Sequence, residues 1–208
     1  MAQEVVGSRP IIRPKHFKTP LPCRARTFEG TPHGVVQAII ALGSNVGDRL
    51  ANLRLAVDLL SKQIEIVKTS HVYETEPMYV ENQPAFLNAA LISRTDLSPR
   101  DLLALLKSLE QEIGRQARQI CGPREIDLDL IAYGALSYRY MDGKQTRLLI
   151  PHPRIPERRF VLQPVLDVAP KFNLPGLGIV EELLRQTDGQ SESVRKVEDA
   201  ILPIQRHG

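Results

Sequence analysis

Gly122-Pro123-Arg124-Glu125-Ile126-Asp127-Leu128-Asp129-Leu130-Ile131 is the stretch on which the reading of this chain turns. Side chains alternate across a β-strand, so Ile126, Leu128 and Leu130 share one face while Asp127 and Asp129 share the other. The first face can lie on a core. The second presents two carboxylates about 7 Å apart along the chain, close enough to share divalent cations. The plainer alternative is two solvated acids on an exposed strand, but Asp is depleted in strands and this one is otherwise apolar. Arg124 follows a Gly-Pro corner just ahead of the pair. With Arg115 and Arg118 it brackets a short loop delivered to the start of the acidic strand, and the guanidinium fork suits phosphate oxygens. A metal-bound polyphosphate is the ligand such a set would hold.

Working backward, Ser98-Pro99-Arg100-Asp101 starts a helix with Ser as N-cap, Pro at the first helical position and an acid in the first turn. Leu102, Leu106, Leu109 and Ile113 recur at helical spacing, and Gly114 fits the stop. Val35–Leu42 reads as a first strand. Gly43-Ser44-Asn45-Val46-Gly47-Asp48 reads as a turn, and Asp48 as the N-cap of a helix carrying Leu50, Leu53, Val57 and Leu60. Glu65–Tyr73 is predicted as one strand, Thr75–Pro84 as a loop and Ala85–Ser93 as a further strand. Beyond the acidic strand, taken as central, Leu136–Tyr140 and Arg147–Ile150 suggest a hairpin around Asp142-Gly143. Helices are expected over Arg158–Leu166 and Ile179–Arg185. The order predicts an α+β fold: a ferredoxin-like core, its mainly antiparallel sheet carrying helices packed on its faces. Residues 1–34 read as a basic, Pro-rich tail or linker, 35–186 as the domain, and 187–208 as a polar, irregular tail or linker.

With 208 residues, 42% of them hydrophobic, the chain can bury one good core. No apolar run approaches the roughly 18–20 residues of a membrane span. Two cysteines, Cys23 and Cys121, make neither a disulfide framework nor a zinc site. A reducing compartment, the cytoplasm, is therefore expected; a mitochondrial address is the alternative, because Arg outnumbers acid near the N-terminus. The charge of +3 is unevenly placed: residues 1–34 hold six Lys or Arg against two acids, a balance of +4 that leaves the remainder at −1. A near-neutral domain with acids on its key strand argues against nucleic-acid binding. A nuclease built on the Asp pair would want further carboxylates beside it.

Two more groups bear on a ligand. Arg147, His152, Arg154, Arg158 and Arg159 cluster around Pro151-His152-Pro153, where His152 could meet a phosphate or ribose. Phe86 and Phe160 could sandwich a flat heterocycle, or simply fill core. Asn88 shares the strand face of Phe86 and offers a donor and an acceptor to a heterocycle edge. The Gly43–Asp48 turn matches neither G-x-G-x-x-G nor a Walker A loop, so its glycines are read as turn formers. His71 and Tyr73 are read as structural.

In this order, the motifs resemble the 6-hydroxymethyl-7,8-dihydropterin pyrophosphokinases of folate biosynthesis. The resemblance spans roughly residues 35–185. It rests on Ala41-Leu42-Gly43-Ser44-Asn45 with Gly47-Asp48-Arg49, on Tyr73-Glu74-Thr75 with Pro77, and on Gln83-Pro84-Ala85-Phe86-Leu87-Asn88. It rests further on Gly122-Pro123-Arg124 leading into Asp127-Leu128-Asp129, and on Ile150-Pro151-His152-Pro153-Arg154 with Arg158 and Phe160. It implies Mg-dependent transfer of pyrophosphate from ATP to the dihydropterin hydroxymethyl group. Asp127 and Asp129 would hold two Mg²⁺ ions, with Asp127 also near the pterin. Thr75, Glu76, Met78, Phe86, Asn88 and Phe160 would contact the pterin. Glu110, Arg124, Leu130, Arg147, Leu149, His152 and Arg158 would contact ATP. Arg115, Arg118 and Arg124 would act with Asp127 in catalysis, the second loop arginine aligning at Arg118 or, shifted by one, at Ala117. The Glu74–Tyr79 loop is similar to that of eukaryotic members, which implies fusion to, or association with, dihydroneopterin aldolase and dihydropteroate synthase.

Overall fold

Alternation in three strands decides which side of the sheet each residue serves. The computed structural model describes residues 34–78, 83–116, 122–188, 193–197 and 202. In β1 (Val36–Ser44), Ala38, Ile40 and Leu42 enter one core and Ile39 the other. In β4 (Phe86–Thr95), Leu87, Ala89 and Leu91 join the first core, Ala90 and Ile92 the second. In β5 (Asp127–Tyr133), Leu128 and Leu130 go to the first core and Ile131 to the second. Both faces of the sheet are therefore covered, each by its own helices.

The first face lies against α1 (Arg49–Ser61) and α2 (Pro99–Ile113). Their starts follow the expected chemistry. Asp48 accepts the Ala51 N–H, Ser98 accepts the Asp101 N–H, and Gly114 closes α2 in the left-handed region at φ 107°. Leu53, Val57, Leu60, Leu102 and Leu106 meet Ile40, Leu91 and Leu128 there. The second face is packed by α3 (Arg159–Val168) through Leu162 and Val165, with α4 (Val180–Gln186) behind it. Among the described residues, no helix is long and apolar enough to cross a membrane.

The span expected as one strand divides into β2 (Glu65–Thr69) and β3 (Tyr73–Thr75), which pair with different lengths of β4. Ser70 causes the break. Its N–H donates to Ala90 O, while its own hydroxyl accepts the Ala90 N–H. β6 (Tyr138–Asp142) and β7 (Gln145–Ile150) form the hairpin, turning at Gly143 with φ 58°. A small pair, β8 (Asn173–Leu174) and β9 (Gly178–Ile179), precedes α4.

Two expectations are corrected. The chain beyond Gln186 is not irregular throughout: β10 (Val194–Lys196) pairs with β3, and Leu202 is buried. Its signal is three residues long, too short for a visible period. The acidic strand is also not central. The six-stranded sheet runs β10-β3-β4-β1-β5, with β2 also beside β4, so β5 is an edge. It reads as central because α2 covers it.

A register shift marks where the cover on the second face begins. Ile40 opposes Leu130 and Ile39 opposes Ala132, which leaves Ile131 as an extra residue in β5. Ile131 lies on the Asp127 and Asp129 face, where α3 begins to cover it. That sheet face is thus apolar and covered at one end, polar and open at the other.

Candidate active site

The open half of the second face and the adjoining outer edge of β5 form a cleft with two lobes. One row of paired residues crosses its floor: Tyr73 opposite Asn88, Asn88 opposite Gly43, and Gly43 opposite Asp127. Paired residues share a face, so Asn88 and Asp127 flank a position with no side chain. A Cβ on Gly43 would lie 3.1 Å from Asn88 Oδ1. The glycine keeps this hollow open.

Thr75, Glu76, Met78, Phe86, Asn88 and Phe160, the residues expected to meet a pterin, all line the first lobe. The buried Asn88 donates through Nδ2 to Thr75 Oγ1 at 2.7 Å, which fixes its amide and turns Oδ1 toward Gly43. Phe86 and Phe160 approach from β4 and the first turn of α3. The Arg158 guanidinium lies 5.9 Å from the Phe160 ring centroid. Its Nε is buried and, among the described residues, without an acceptor, so a ligand can supply one.

The second lobe is bounded by β5, β7 and the turn after it. Arg124, Leu130, Arg147, Leu149, His152 and Arg158 line it, with Arg115 and Lys107. Arg124, Asp127, Asp129 and Arg158 line both lobes. Arg118 lies outside the described residues.

Where the lobes meet, opposite charges are closely paired. Asp127 accepts from Arg115 Nη1 at 2.6 Å on one oxygen and from Arg124 Nη1 at 2.5 Å on the other. Burial works against the Arg115 cation, but Asp127 and Glu110 outweigh it and its pKa rises. Asp129 has Lys107 Nζ at 3.8 Å and keeps 53% of its side-chain surface open. Enclosure by the cleft walls, then the like charge of Asp127, pushes its carboxyl up to about 6. A divalent cation would relieve that repulsion. Among the described residues no cluster of three or more His, Cys, Asp or Glu could hold a metal. Two carboxylates with further oxygens from a phosphate ligand form the kind of donor set Mg²⁺ takes.

His152 is driven toward its neutral form by burial and by Arg158 and Arg154. Its Nδ1 accepts the Arg154 N–H at 3.2 Å, which leaves the proton on Nε2. Glu110, expected to contact ATP, lies beneath the lining of the second lobe, bonded to two of its residues, Lys107 and Arg115. It is 3% exposed under β5, accepting from the Leu128 N–H at 2.7 Å, from Lys107 and from Arg115. It holds the strand and one arginine rather than opening into the cleft. Lys107 escaped the sequence reading; its signal is its place one helical turn before Glu110.

The other omission is the Gly43–Asp48 turn. Ser44 Oγ donates to Glu125 O at 2.6 Å, and Asn52 Nδ2 donates to the same oxygen at 3.0 Å. Arg49 Nη1 donates to Ala85 O at 2.8 Å. Ser44 and, from the first turn of α1, Arg49 and Asn52 therefore position the segments leading to Phe86 and to Asp127, a role the lack of a phosphate-loop motif hides.

Residues 39–170 match the family model described as 7,8-dihydro-6-hydroxymethylpterin-pyrophosphokinase. A mitochondrial folate synthesis bifunctional protein of Pisum sativum is 46% identical over 133 residues, 64% of this chain and 25% of the relative. The Aquifex aeolicus 2-amino-4-hydroxy-6-hydroxymethyldihydropteridine pyrophosphokinase is 42% identical over 137 residues, 65% of this chain and 82% of the relative. The chain thus spans about a quarter of the pea protein it matches. A crystal structure of wild-type Plasmodium falciparum HPPK-DHPS superposes with a TM-score of 0.61 at 16% identity, over 74% of this chain and 43% of that one. That likeness supports the fold. The expected α+β architecture and the family motifs are both found, and the chain belongs to the 7,8-dihydro-6-hydroxymethylpterin-pyrophosphokinase family of enzymes.

Proposed function

We propose that this chain transfers pyrophosphate from Mg-ATP to 6-hydroxymethyl-7,8-dihydropterin, giving AMP and the pterin diphosphate ester. The observation that carries the reading is the shared border of the lobes. Asp127, Asp129, Arg124 and Arg158 face both an aromatic lobe suited to a flat acceptor and a cationic lobe suited to a nucleotide. The acceptor oxygen bonds to the β-phosphorus, the bond from that phosphorus to the α,β-bridging oxygen breaks, and AMP leaves with the bridging oxygen. The hydroxyl proton passes to Asp127 or to solvent.

Such transfer needs positioning and charge neutralisation more than covalent help. Asp127 and Asp129 would hold two Mg²⁺ ions, which neutralise the triphosphate and clamp its oxygens. Phe86 and Phe160 stack on the acceptor, and Asn88 and Thr75 read its edge. Arg115 and Arg124 exchange carboxylate oxygens for phosphate oxygens as the nucleotide enters. Neutral His152 donates from Nε2, while Arg147 and Arg158 hold phosphate or ribose oxygens. The named relatives include bifunctional folate-synthesis proteins, which supports a working place beside dihydropteroate synthase or dihydroneopterin aldolase. Incubation with ATP, Mg²⁺ and the dihydropterin should yield AMP in proportion to acceptor consumed. ADP in place of AMP, or no acceptor dependence, would refute the reading.

A further inference from the structure

Asn45 is 1% exposed and joins two segments that serve different lobes. Its backbone N–H donates to Arg124 O at 3.1 Å, and its Oδ1 accepts the Arg124 N–H at 2.8 Å. Its Nδ2 donates to Gln83 Oε1 and to Pro84 O, both at 3.1 Å. Both amide donors and the amide acceptor are engaged. One partner segment leads into Phe86 and Asn88 of the acceptor lobe; the other leads into Asp127 at the border with the nucleotide lobe. Of these two segments Arg49 bonds the first, at Ala85 O, and Ser44 the second, at Glu125 O. Asn45 holds both through a single rigid amide.

We propose that Asn45 is a positioning residue that couples the two lobes, so that filling one tightens the other. The inference deepens the pyrophosphoryl-transfer reading and rests on it. A ligand that seats Phe86 fixes the Gln83–Pro84 segment, the Asn45 amide with it, and thereby the Arg124 backbone. Buried amide groups leave no slack, because a partner that moves alone strands a donor out of reach of water. By linkage the effect is the same in both directions.

The test is calorimetric titration of a non-hydrolysable Mg-ATP analogue and of 6-methylpterin, which lacks the reacting hydroxyl, each alone and in the other's presence. In the wild type each should tighten the other by about fivefold or more. Asn45→Asp keeps the acceptor for the Arg124 N–H and removes both donors toward Gln83 and Pro84. It should hold each separate affinity within about threefold while the coupling factor falls to about one. Gln83→Ala, at a partly exposed position, removes one of the two acceptors and should reduce the coupling partway; it decides the matter if Asn45→Asp fails to fold. Wild-type coupling retained in both variants, or separate affinities lost in proportion to folded protein, overturns the role of Asn45. A wild type that binds both ligands independently overturns it too, while leaving the pyrophosphoryl-transfer reading intact. A wild type that binds neither overturns both.

Discussion

The two lobes of the cleft are built by different means. The acceptor lobe is set by strand register: Tyr73, Asn88, Gly43 and Asp127 stand on three adjoining pairings of the sheet, and Asn88 is tied down by Thr75. The nucleotide lobe is set by charge. Arg115 and Arg124 rest on Asp127, Lys107 on Glu110, and Arg147 on Asp142 at 3.2 Å. A lobe made by the sheet is ready for its ligand. A lobe made by ion pairs would have to exchange partners first, and Asp127, which holds both Arg115 and Arg124, would stand at the centre of that exchange. On the proposed function, recognition of the flat acceptor would be a matter of shape, and the chemistry a matter of re-pairing.

The sharpest way to break this contrast is at the shared acids. Asp127→Ala or Asp129→Ala should lower AMP formation by ~10³-fold or more, with the thermal transition retained. Near-normal turnover in either variant sinks the metal assignment. Next comes Arg115→Ala, which should lower turnover about 10²-fold while nucleotide affinity changes by less than about threefold. An unchanged rate would show that the Arg115–Asp127 pair only neutralises charge.

The acceptor lobe is probed by Gly43→Ala, whose methyl would press on Asn88 Oδ1 at 3.1 Å. Overpacking of this kind costs about 1–2 kcal/mol, so the KM for the pterin should rise about tenfold. The KM for Mg-ATP should stay put, and a parallel rise in both would erase the distinction between the lobes. The smallest effect is one of pH. Asp129 has its carboxyl raised to about 6, so protons compete with cation below that value. Magnesium affinity should weaken as pH falls through about 6 and level off above it. In Asp129→Asn the affinity is lower throughout, and a slope that persists there assigns the proton to another group.

Much of this was legible in the sequence where a period or a cap carried the signal. Asp127 and Asp129 alternate with Leu128 and Leu130, and the Ser98 and Gly114 caps bound α2 where they should. The motifs placed Phe86, Asn88 and Phe160 around one lobe. What escaped depends on contacts far apart in the chain. Nothing near Asn45 says that it will meet both Gln83 and Arg124, and a lone Glu110 on an amphipathic helix does not reveal that Leu128 will donate to it. β10 is too short to show a period, and the break at Ser70 depends on a bond to Ala90. Strand position is not legible because α2 and α3 cover opposite faces of β5, which gives an edge strand the apolar run of a central one.

That masked edge has a consequence for the protein's behaviour in company. The outer side of β5 would offer its Leu128 N–H and C=O to any passing strand. Glu110 accepts that N–H at 2.7 Å and Lys107 donates to that carbonyl at 3.1 Å. Both groups are taken, and a charged pair lies over the opening, the sort of guard that discourages strand-to-strand aggregation. Glu110 and Lys107, which hold the acidic strand in place, thereby also leave less of its edge open to a second chain.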